Sequence, residues 1–310
     1  MPPSPLDTPN IDLSVVIPTL NAREQLTNNL DALAEHAPTA EVIVVNGPSA
    51  DGTSGMVQNR TDVDVLIEVS ERTLNVARNA GIIEATGEAI AILHHDLTVE
   101  PTWVDAIKSG LSRATVVTGP VHQMLSAGMT TTAREQTDIG GRTVTYFNGG
   151  NVAFTAATIE DIDGFDEYLE TGGARDVAHR LAATNEHVAW EPKMCVRTEY
   201  ETDGGTEGRD IGWKYRSLAY RLIKNYGIRP TVVRRTLAHI GCDAIDTIED
   251  LLADDRTLSA SLSVERDAVI GAVSGLITGL QARFADRSVT RNPNGCSARA
   301  DRAVTRYDWR

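Results

Sequence analysis

Short runs of β-branched and aliphatic residues alternate with helical patterns over the first 120 residues, and this alternation strongly constrains the fold. Residues 13–17, 42–46, 63–69, 89–93 and 115–121 are predicted to be strands. The patterns between them predict helices over residues 22–36, 53–59, 73–85 and 101–111. Strands that are apolar throughout and separated by helices indicate an α/β fold with a mostly parallel central sheet covered by helices.

Sheets of this kind bind ligands at the carboxyl ends of their strands, so the loops after the strands form the candidate site. The first strand leads into Pro18, Thr19 and Asn21, and the second leads into Asn46 and Asp51. Their side-chain oxygens and open backbone amides suit a nucleotide. Taken singly, each loop also fits an ordinary strand-to-helix connection.

Two more groups of polar residues lie near the fourth predicted strand. Arg78 and Asn79 lie on the preceding helix among small residues, and arginine is a preferred partner of a diphosphate. His94, His95 and Asp96 follow the strand. A carboxylate beside imidazoles can hold Mg²⁺ or Mn²⁺, with Asp96 as the oxygen ligand, whereas an isolated His-His-Asp run is more often a polar loop than a metal site.

Six motifs in the same order resemble the nucleotide-sugar-dependent inverting glycosyltransferases of family 2, over about residues 12–200. The motifs lie at residues 14–21, 45–53, 77–81 with 85–88, 94–96, 148–151 with 164–167, and 172–176 with Arg180. One such match is weak, whereas six in register are specific for a fold. The resemblance implies a GT-A-like fold that binds a nucleotide-diphosphate sugar at the strand ends.

The resemblance also implies roles for individual residues. Asp176 corresponds to the general base that deprotonates the acceptor hydroxyl for inverting attack on the anomeric carbon. Asp96 and His94 correspond to ligands of Mn²⁺ or Mg²⁺. The residues implied to bind the donor are Pro18, Thr19, Asn21, Asn46, Asp51, Arg78, Asn79 and His95.

Three positions depart from the family pattern. Asn46 stands where the family usually has the aspartate that contacts uracil, and His94 replaces the first aspartate of the metal motif. Arg175 replaces the glutamate before the base. Imidazole suits softer ions, which favours Mn²⁺. These changes leave a catalytically impaired nucleotide-sugar-binding protein as an alternative, and Glu199 is the second candidate for the base.

Charge divides the chain after residue 208. Residues 1–208 carry 31 acidic and 12 basic side chains, whereas residues 209–239 carry eight basic side chains and one acidic side chain. The division predicts a disordered leader over 1–10, a catalytic domain over 11–208, a helical appendage over 209–285 and an Arg-rich tail over 286–310. Helices of the appendage are expected near residues 213–226, 231–252 and 264–284.

The first helix of the appendage combines aromatic and cationic side chains. Its candidates for binding an acceptor or a lipid are Trp213, Lys214, Arg216, Arg221 and Lys224. Such a helix can lie in an anionic membrane interface or bind a lipid-linked pyrophosphate. It can equally pack on the acidic catalytic domain without any further role.

Composition bears on the remaining classes of function. A formal net charge of −14 argues against a nucleic-acid-binding protein, and an acidic chain with four lysines is typical of a halophilic source. Three scattered cysteines encode neither a disulfide framework nor a thiolate metal site. We expect a cytoplasmic protein, or a peripheral one on the cytoplasmic face of the membrane, because residues 268–280 are shorter than the ~20 residues of a span.

These features predict a hexosyltransferase-type enzyme that moves a sugar from a nucleotide donor to an acceptor hydroxyl with inversion. By analogy, lipid-linked or cell-surface glycan assembly, including protein glycosylation, is the expected context. A nucleotidyltransferase is a further alternative, although residues 13–22 lack the Gly-rich loop with Arg and Lys that such enzymes use. A dehydrogenase is disfavoured because no GxGxxG follows the first strand.

Overall fold

The computed structural model describes residues 11–125, 128–131, 134–198, 211–230 and 258–310. Its strands are β1 (Leu13–Thr19), β2 (Glu41–Asn46), β3 (Val65–Val69), β4 (Ala89–Leu93), β5 (Leu97–Val99), β6 (Val116–Thr118), β7 (Val121–Leu125), β8 (Gly128–Thr131), β9 (Glu135–Ile139), β10 (Arg142–Tyr146), β11 (Asn151–Thr155), β12 (Val188–Trp190), β13 (Val196–Thr198) and β14 (Ala303–Asp308). Its helices are α1 (Arg23–His36), α2 (Thr53–Gln58), α3 (Leu74–Glu84), α4 (Trp103–Leu111), α5 (Ala156–Asp161), α6 (Gly173–Thr184), α7 (Ile211–Tyr226) and α8 (Leu258–Ala285).

An eight-stranded sheet forms the centre of the fold, in the order β12-β6-β11-β4-β1-β2-β3-β14. Strands β4, β1, β2 and β3 pair in parallel, while β11 runs antiparallel between β4 and β6. A smaller sheet, β5-β13-β7-β8, and the hairpin β9-β10 complete the strands. The α/β fold with a mostly parallel sheet, predicted from the sequence, is confirmed.

The elements predicted over the first 120 residues are present, with one difference at residues 115–121. There the chain forms β6, breaks at Gly119 and Pro120, and continues as β7 in the smaller sheet. Proline cannot donate to a sheet ladder, and a Cβ at Gly119 would lie 2.2 Å from the Met194 carbonyl oxygen. The close approach of the chain around Met194 therefore ends the strand.

Apolar helix faces cover both sides of the sheet. On one side α1 and α4 bury Leu26, Leu30 and Trp103, and on the other α3, α5 and α6 pack with the sheet around Phe154. A Cβ at Gly81 would lie 2.3 Å from Val16 Cγ1, so glycine alone lets α3 approach β1 this closely. This contact sets the distance between α3 and β1.

The two described helices of the appendage pack against each other. Glycines of α8 lie directly on the backbone of α7, and a Cβ at Gly271, Gly275 or Gly279 would lie 2.0–2.7 Å from α7 carbonyl oxygens. The predicted leader, the predicted helix over 231–252 and the base candidate Glu199 lie outside the described residues. Residues Arg266–Ala285 of α8 are long and apolar enough to cross a membrane. From the sequence, the apolar stretch was expected to cover residues 268–280 and to be too short for a span. The helix segment that meets the length and composition of a span has 20 residues.

The Arg-rich tail continues the central sheet. Strand β14, which the sequence did not predict, pairs antiparallel with β3 at the edge. Tail arginines pair with carboxylates of the acidic domain: Arg299 with Glu71 at 2.7 Å, and Arg306 with Glu84 at 3.1 Å. The opposite charges of the tail and the domain therefore form ion pairs where the tail packs on the domain.

Candidate active site

The loops that follow β1 and β2 are tied together by their own polar groups. The Asn21 amide donates to Ser49 Oγ at 2.8 Å, and Asn21 Oδ1 accepts from the Ala50 amide at 2.8 Å. The Asp51 carboxylate accepts from the backbone amides of Arg23 and Thr53, at 2.9 and 3.1 Å. Asn21 and Asp51, predicted to bind the donor, thus organise the rim of the site through these bonds.

Asn46 lies buried at the end of β2, and both polar atoms of its amide are engaged. Its Nδ2 donates to Ser54 Oγ at 2.8 Å, and its Oδ1 accepts from Ser49 Oγ at 2.7 Å. Thr19 lies beside it at the end of β1, 4% exposed, and its hydroxyl has no hydrogen-bond partner among the described residues. Of these two side chains, Thr19 keeps hydrogen-bonding capacity for a ligand.

The end of β4 carries the predicted metal motif. The rings of His94 and His95 lie 4.2 Å apart, and His94 Nδ1 contacts the Asp96 carboxylate. His95 Nδ1 lies 3.2 Å from the Pro18 carbonyl oxygen, which can only accept, so this nitrogen carries the proton. The motif is therefore joined to the end of β1 at Pro18.

Electrostatics separate the roles of this motif. Burial, reinforced by neighbouring His94, lowers the pKa of His95 to about 4, so its ring is neutral at pH 7. Burial opposes ionisation of Asp96, but the His94 contact outweighs it and lowers the pKa of the Asp96 carboxyl. The site therefore holds a carboxylate beside a neutral imidazole.

A divalent ion fits this site only in part. The described residues contain no group of three or more His, Cys, Asp or Glu side chains placed to hold a metal. Asp96 with one imidazole offers two ligands, and Mg²⁺-type ions are commonly held by one or two carboxylates together with substrate phosphates. The donor set fits an ion whose remaining ligands come from a phosphate group.

Arg78 lies on α3 below the loop that precedes β11. It is 6% exposed, and its Nη2 donates to the Gly149 carbonyl oxygen at 2.8 Å. Its Nη1 donates to Asn75 Oδ1 at 3.0 Å, while Nε is buried with no partner among the described residues. Burial lowers the pKa of Arg78 to about 10. A buried guanidinium paired only with neutral groups is suited to receive an anion.

Asn79, the next residue on α3, is held by the chain around Phe165. Its Nδ2 donates to the Phe165 carbonyl oxygen at 2.8 Å and to Glu167 Oε1 at 2.9 Å, and its Oδ1 accepts from the Phe165 amide. The side chain is fully buried. The structure places Asn79 in a loop-holding role, away from the predicted contact with the donor.

Asp176 is fully buried in an ionic network that argues against the predicted role of general base. Its Oδ2 accepts from Arg180 Nε and from Lys224 Nζ, each at 2.8 Å, and its Oδ1 accepts from Asn225 at 2.9 Å. Although burial opposes ionisation, the two cations hold the pKa of Asp176 far below its usual range. A carboxylate without solvent access and with so low a proton affinity is unsuited to deprotonating an acceptor hydroxyl.

The side of α6 that faces the site carries other residues. Ala174 lies against Gly149, where an added Cβ would come within 2.8 Å of the alanine side chain. Arg175 stacks on Tyr146 at 4.4 Å and binds both oxygens of Glu135, at 2.9 and 2.8 Å. The first turn of α6 thus presents a methyl group and an ion pair to the site.

Most of the predicted lipid-binding or acceptor-binding residues of α7 are turned toward the protein. Lys224 is fully buried between Asp176 and Asp166, so it cannot contact a lipid or an acceptor. Arg216 donates to the Tyr168 hydroxyl at 2.6 Å and stacks on Trp213 at 4.8 Å.

The other two residues of that set differ in exposure. Arg221 packs beside Gly172, where a Cβ would meet its guanidinium at 2.4 Å. Lys214 is exposed and lies over the Tyr215 ring. The packed-helix alternative fits α7 better than the lipid interpretation does.

Two buried asparagines that hold the site were missed from the sequence. Asn29 of α1 donates to the carbonyl oxygens of His94 and Leu97, at 3.0 and 2.6 Å, and so fixes the metal motif. Asn75 of α3 donates to the Asp166 carbonyl oxygen at 2.9 Å. The signal was a polar residue on an otherwise apolar helix face, which is informative when it is buried.

The structure therefore brings together one part of the predicted set. Thr19, Arg78, His95 and Asp96 surround the ends of β1 and β4, while Pro18 contributes a backbone oxygen there. The remaining predicted residues brace loops or lie in the ionic network.

Comparison with known proteins finds similar sequences. Residues 14–148 match the family model described as glycosyl transferase family 2. A pre-mycofactocin glycosyltransferase of Mycobacterium tuberculosis is 27% identical over 207 residues, which are 62% of this chain and 43% of that protein. The glycosyltransferase AglE of Haloferax volcanii is 26% identical over 202 residues, covering 58% of this chain and 66% of that protein. The chain thus spans less than half the length of the mycobacterial relative.

Solved structures share the fold at low sequence identity. A mannosyltransferase from Pyrobaculum calidifontis, solved with GDP-Man and Mn²⁺, has a TM-score of 0.54 at 17% identity and covers 92% of this chain and 90% of its own. Residues 1–349 of TarS from S. aureus give a TM-score of 0.58 at 15% identity, covering 88% of this chain and 82% of that one. The fold is that of the GT-A glycosyltransferases.

Proposed function

Because residues 14–148 match the model of glycosyl transferase family 2, we propose that this protein transfers a sugar from a nucleoside-diphosphate donor to an acceptor hydroxyl. The observation that carries the proposal is Arg78. It is a buried cation whose hydrogen-bond partners among the described residues are neutral, and it lies beside the loop that precedes β11. A diphosphate supplies the negative charge that this environment lacks.

The nucleoside of the donor is proposed to lie between the ends of β1 and β2. The Thr19 hydroxyl, which has no partner among the described residues, and the rim braced by Asn21 and Asp51 support this placement. Asn46 is committed to two serines, so nucleobase selection by its amide requires rearrangement of that loop. The bound nucleotides of two structural neighbours, GDP-Man and UDP-GlcNAc, define the two donor classes to test first.

Asp96, with the imidazole of His94 or His95, would hold a divalent ion, and we propose Mn²⁺ by the same comparison. When bound, the ion supplies positive charge to the leaving diphosphate. Two residues of the chain assist in binding. Arg78 would bind the phosphates, and Asn29 holds the turn that carries Asp96.

Removal of the acceptor proton is the step that separates two functions. An inverting transferase needs a base on the acceptor side, where α6 presents Ala174 and an Arg175–Glu135 ion pair. With Asp176 buried, the second candidate function is a nucleotide-sugar-binding protein with impaired transfer. From the similarity to this family we also propose that transfer inverts the anomeric centre and serves lipid-linked or cell-surface glycan assembly.

Binding of UDP, GDP and their sugars, measured by calorimetry with and without Mn²⁺, tests the donor site. Arg78→Gln should weaken nucleoside-diphosphate binding at least about tenfold, the value of one charge-assisted bond, while leaving nucleoside binding unchanged. The matched control is Arg113→Gln, which changes an exposed arginine outside the site. Equal diphosphate affinity in wild type and Arg78→Gln refutes the assignment.

A second assay then separates the two functions. It measures the release of nucleoside diphosphate from the donor that binds most tightly, in the presence of a panel of acceptors. Turnover above the protein-free rate supports the transferase. Tight donor binding without turnover supports the impaired binding protein, and absence of donor binding excludes both.

A further inference from the structure

Helix α8 has two faces of opposite character. The face toward α7 is built from Gly271, Gly275 and Gly279, with Ala268 and Ala282 buried on the same side. Small residues spaced four apart let two helix backbones approach closely. This face is occupied by α7.

The opposite face of α8 is apolar and exposed. Its residues are Val269 (53% exposed), Ile270 (53%), Val273 (53%), Ile277 (50%) and Phe284 (66%). At about 100° per residue these positions fall within one stripe roughly 100° wide. We call them the apolar face. It is one continuous strip, unlike the single exposed apolar residues that any surface carries.

Charge around the apolar face differs from that of the rest of the molecule. No aspartate or glutamate occurs between Asp267 and Asp286, in a chain with 43 acidic residues. Four arginines gather at the carboxyl-terminal end of α8. They are Arg142, Arg229, Arg283 and Arg291, and we call them the arginine cluster.

Contacts with backbone oxygens hold this cluster in place. Arg283 donates to the Lys224 carbonyl oxygen at 2.9 Å, and Arg229 donates to that of Gly140 at 3.2 Å. Ile228, 63% exposed, lies next to Arg229 in the chain and extends the apolar surface toward the cluster.

We propose that α8 docks the protein on an anionic lipid bilayer, with the apolar face at the acyl boundary and the arginine cluster against the headgroups. An apolar strip bordered by arginines and free of carboxylates complements such a surface, whereas the acidic remainder of the protein is repelled by it. The proposal does not depend on sugar transfer.

The geometry favours docking parallel to the membrane over crossing it. Arg266–Ala285 is long enough to span a bilayer. However, its glycine face is packed on α7, and α7 is tied to the catalytic domain by the buried Lys224 with Asp166 and Asp176. Crossing would expose the glycine face to lipid or pull α7 and its charges with it, whereas docking leaves both contacts intact.

Vesicle flotation of the full chain tests the proposal, with phosphatidylcholine vesicles alone and with an added third of phosphatidylglycerol. Wild type should float with the anionic vesicles. Ile277→Asp should lower the bound fraction at least about tenfold, because it places a charge in the apolar strip. The matched control Val304→Asp changes an apolar residue on β14 that is more exposed than Ile277 (69% against 50%), and it should bind as wild type.

Salt and the arginine cluster give an independent readout. Arg229→Gln with Arg291→Gln should remove the preference for anionic vesicles without abolishing binding, and 2 M salt should do the same in the wild type. Melting temperatures of all variants should stay within a few degrees of wild type because the changed side chains are exposed or, for Arg291, partly exposed.

Any one of the following results would overturn the proposal. One is equal flotation of Ile277→Asp and Val304→Asp, or no flotation of the wild type. Another is a dimer of the wild type in light scattering that Ile277→Asp dissociates, which assigns the apolar face to a second copy. A third is a large drop in melting temperature for Ile277→Asp and also for the milder Ile277→Gln, which assigns the face to packing within the chain.

Discussion

Replacement of Lys224 by methionine is expected to destabilise the protein strongly. The Lys224 ammonium lies 2.6 Å from Asp166 Oδ2 and 2.8 Å from Asp176 Oδ2, and all three side chains are fully buried. Together with Arg180 they form a network of two cations and two anions. Methionine fills a similar volume but leaves the network with a net buried negative charge.

The magnitude follows from the partners that remain. Asp176 keeps Arg180 and Asn225, whereas the donors that Asp166 keeps among the described residues are neutral and include the Tyr220 hydroxyl. Removing one partner of a buried ion pair costs about 3–5 kcal/mol, mostly from the charge left behind. For a chain of this size that corresponds to about 5–15 °C in melting temperature.

Thermal and urea unfolding of three variants measure the effect. Lys214→Met, on the same helix but exposed, should change the free energy of unfolding by less than about 0.5 kcal/mol. Adding Asp166→Asn to Lys224→Met should restore part of the loss, because it neutralises the carboxylate left without a cation.

The pH dependence has a defined sign. Asp176 has a lowered pKa in the folded state, so its stabilisation is present above the pKa of the unfolded chain and is lost as pH falls. The gap between wild type and Lys224→Met should therefore narrow below about pH 4. A melting temperature of Lys224→Met equal to that of Lys214→Met at pH 7 would refute the buried network.

Four further outcomes are expected. Gly81→Ala should cost about 1–3 kcal/mol in chemical unfolding, since the new Cβ meets Val16 at 2.3 Å; no loss would show that α3 can move away. Asp96→Ala should abolish the increase in donor affinity that Mn²⁺ gives in calorimetry, and an unchanged increase would move the ion elsewhere. The His95 ring should stay neutral by NMR down to about pH 4, and stability linked to it should fall as pH drops from about 6.5 toward 4; titration near pH 6.5 would contradict its burial. Asp176→Asn should lower the melting temperature, whereas the base role predicted from sequence requires a ~10²–10⁴-fold loss of transfer with stability intact.

The sequence by itself determined the central layers of this protein. Apolar strands separated by amphipathic helices have one stable arrangement, a sheet covered on both faces, so periodicity was enough to predict β1, β2 and β4 and the edge at which loops gather. The same local pattern was enough to place Thr19 and Asp96 near that edge, because Thr19 ends β1 and Asp96 closely follows β4, and the carboxyl ends of parallel strands lie at one edge of the sheet.

Only the tertiary structure decided which way the remaining polar side chains face. Asp176 lies at the start of a helix as predicted. Within that first turn, however, Ala174 faces the site whereas Asp176 faces the interior of the protein. Its partner Lys224 lies 48 residues further along the chain. Lys224 itself belongs to a segment whose charge suggested a lipid surface. Sequence spacing fixes the angle between neighbours on a helix, whereas the direction of each side chain relative to the core depends on contacts between distant segments. For this reason the strand ends were predictable, and the buried network, the added strand β14 and the exposed strip of α8 were not.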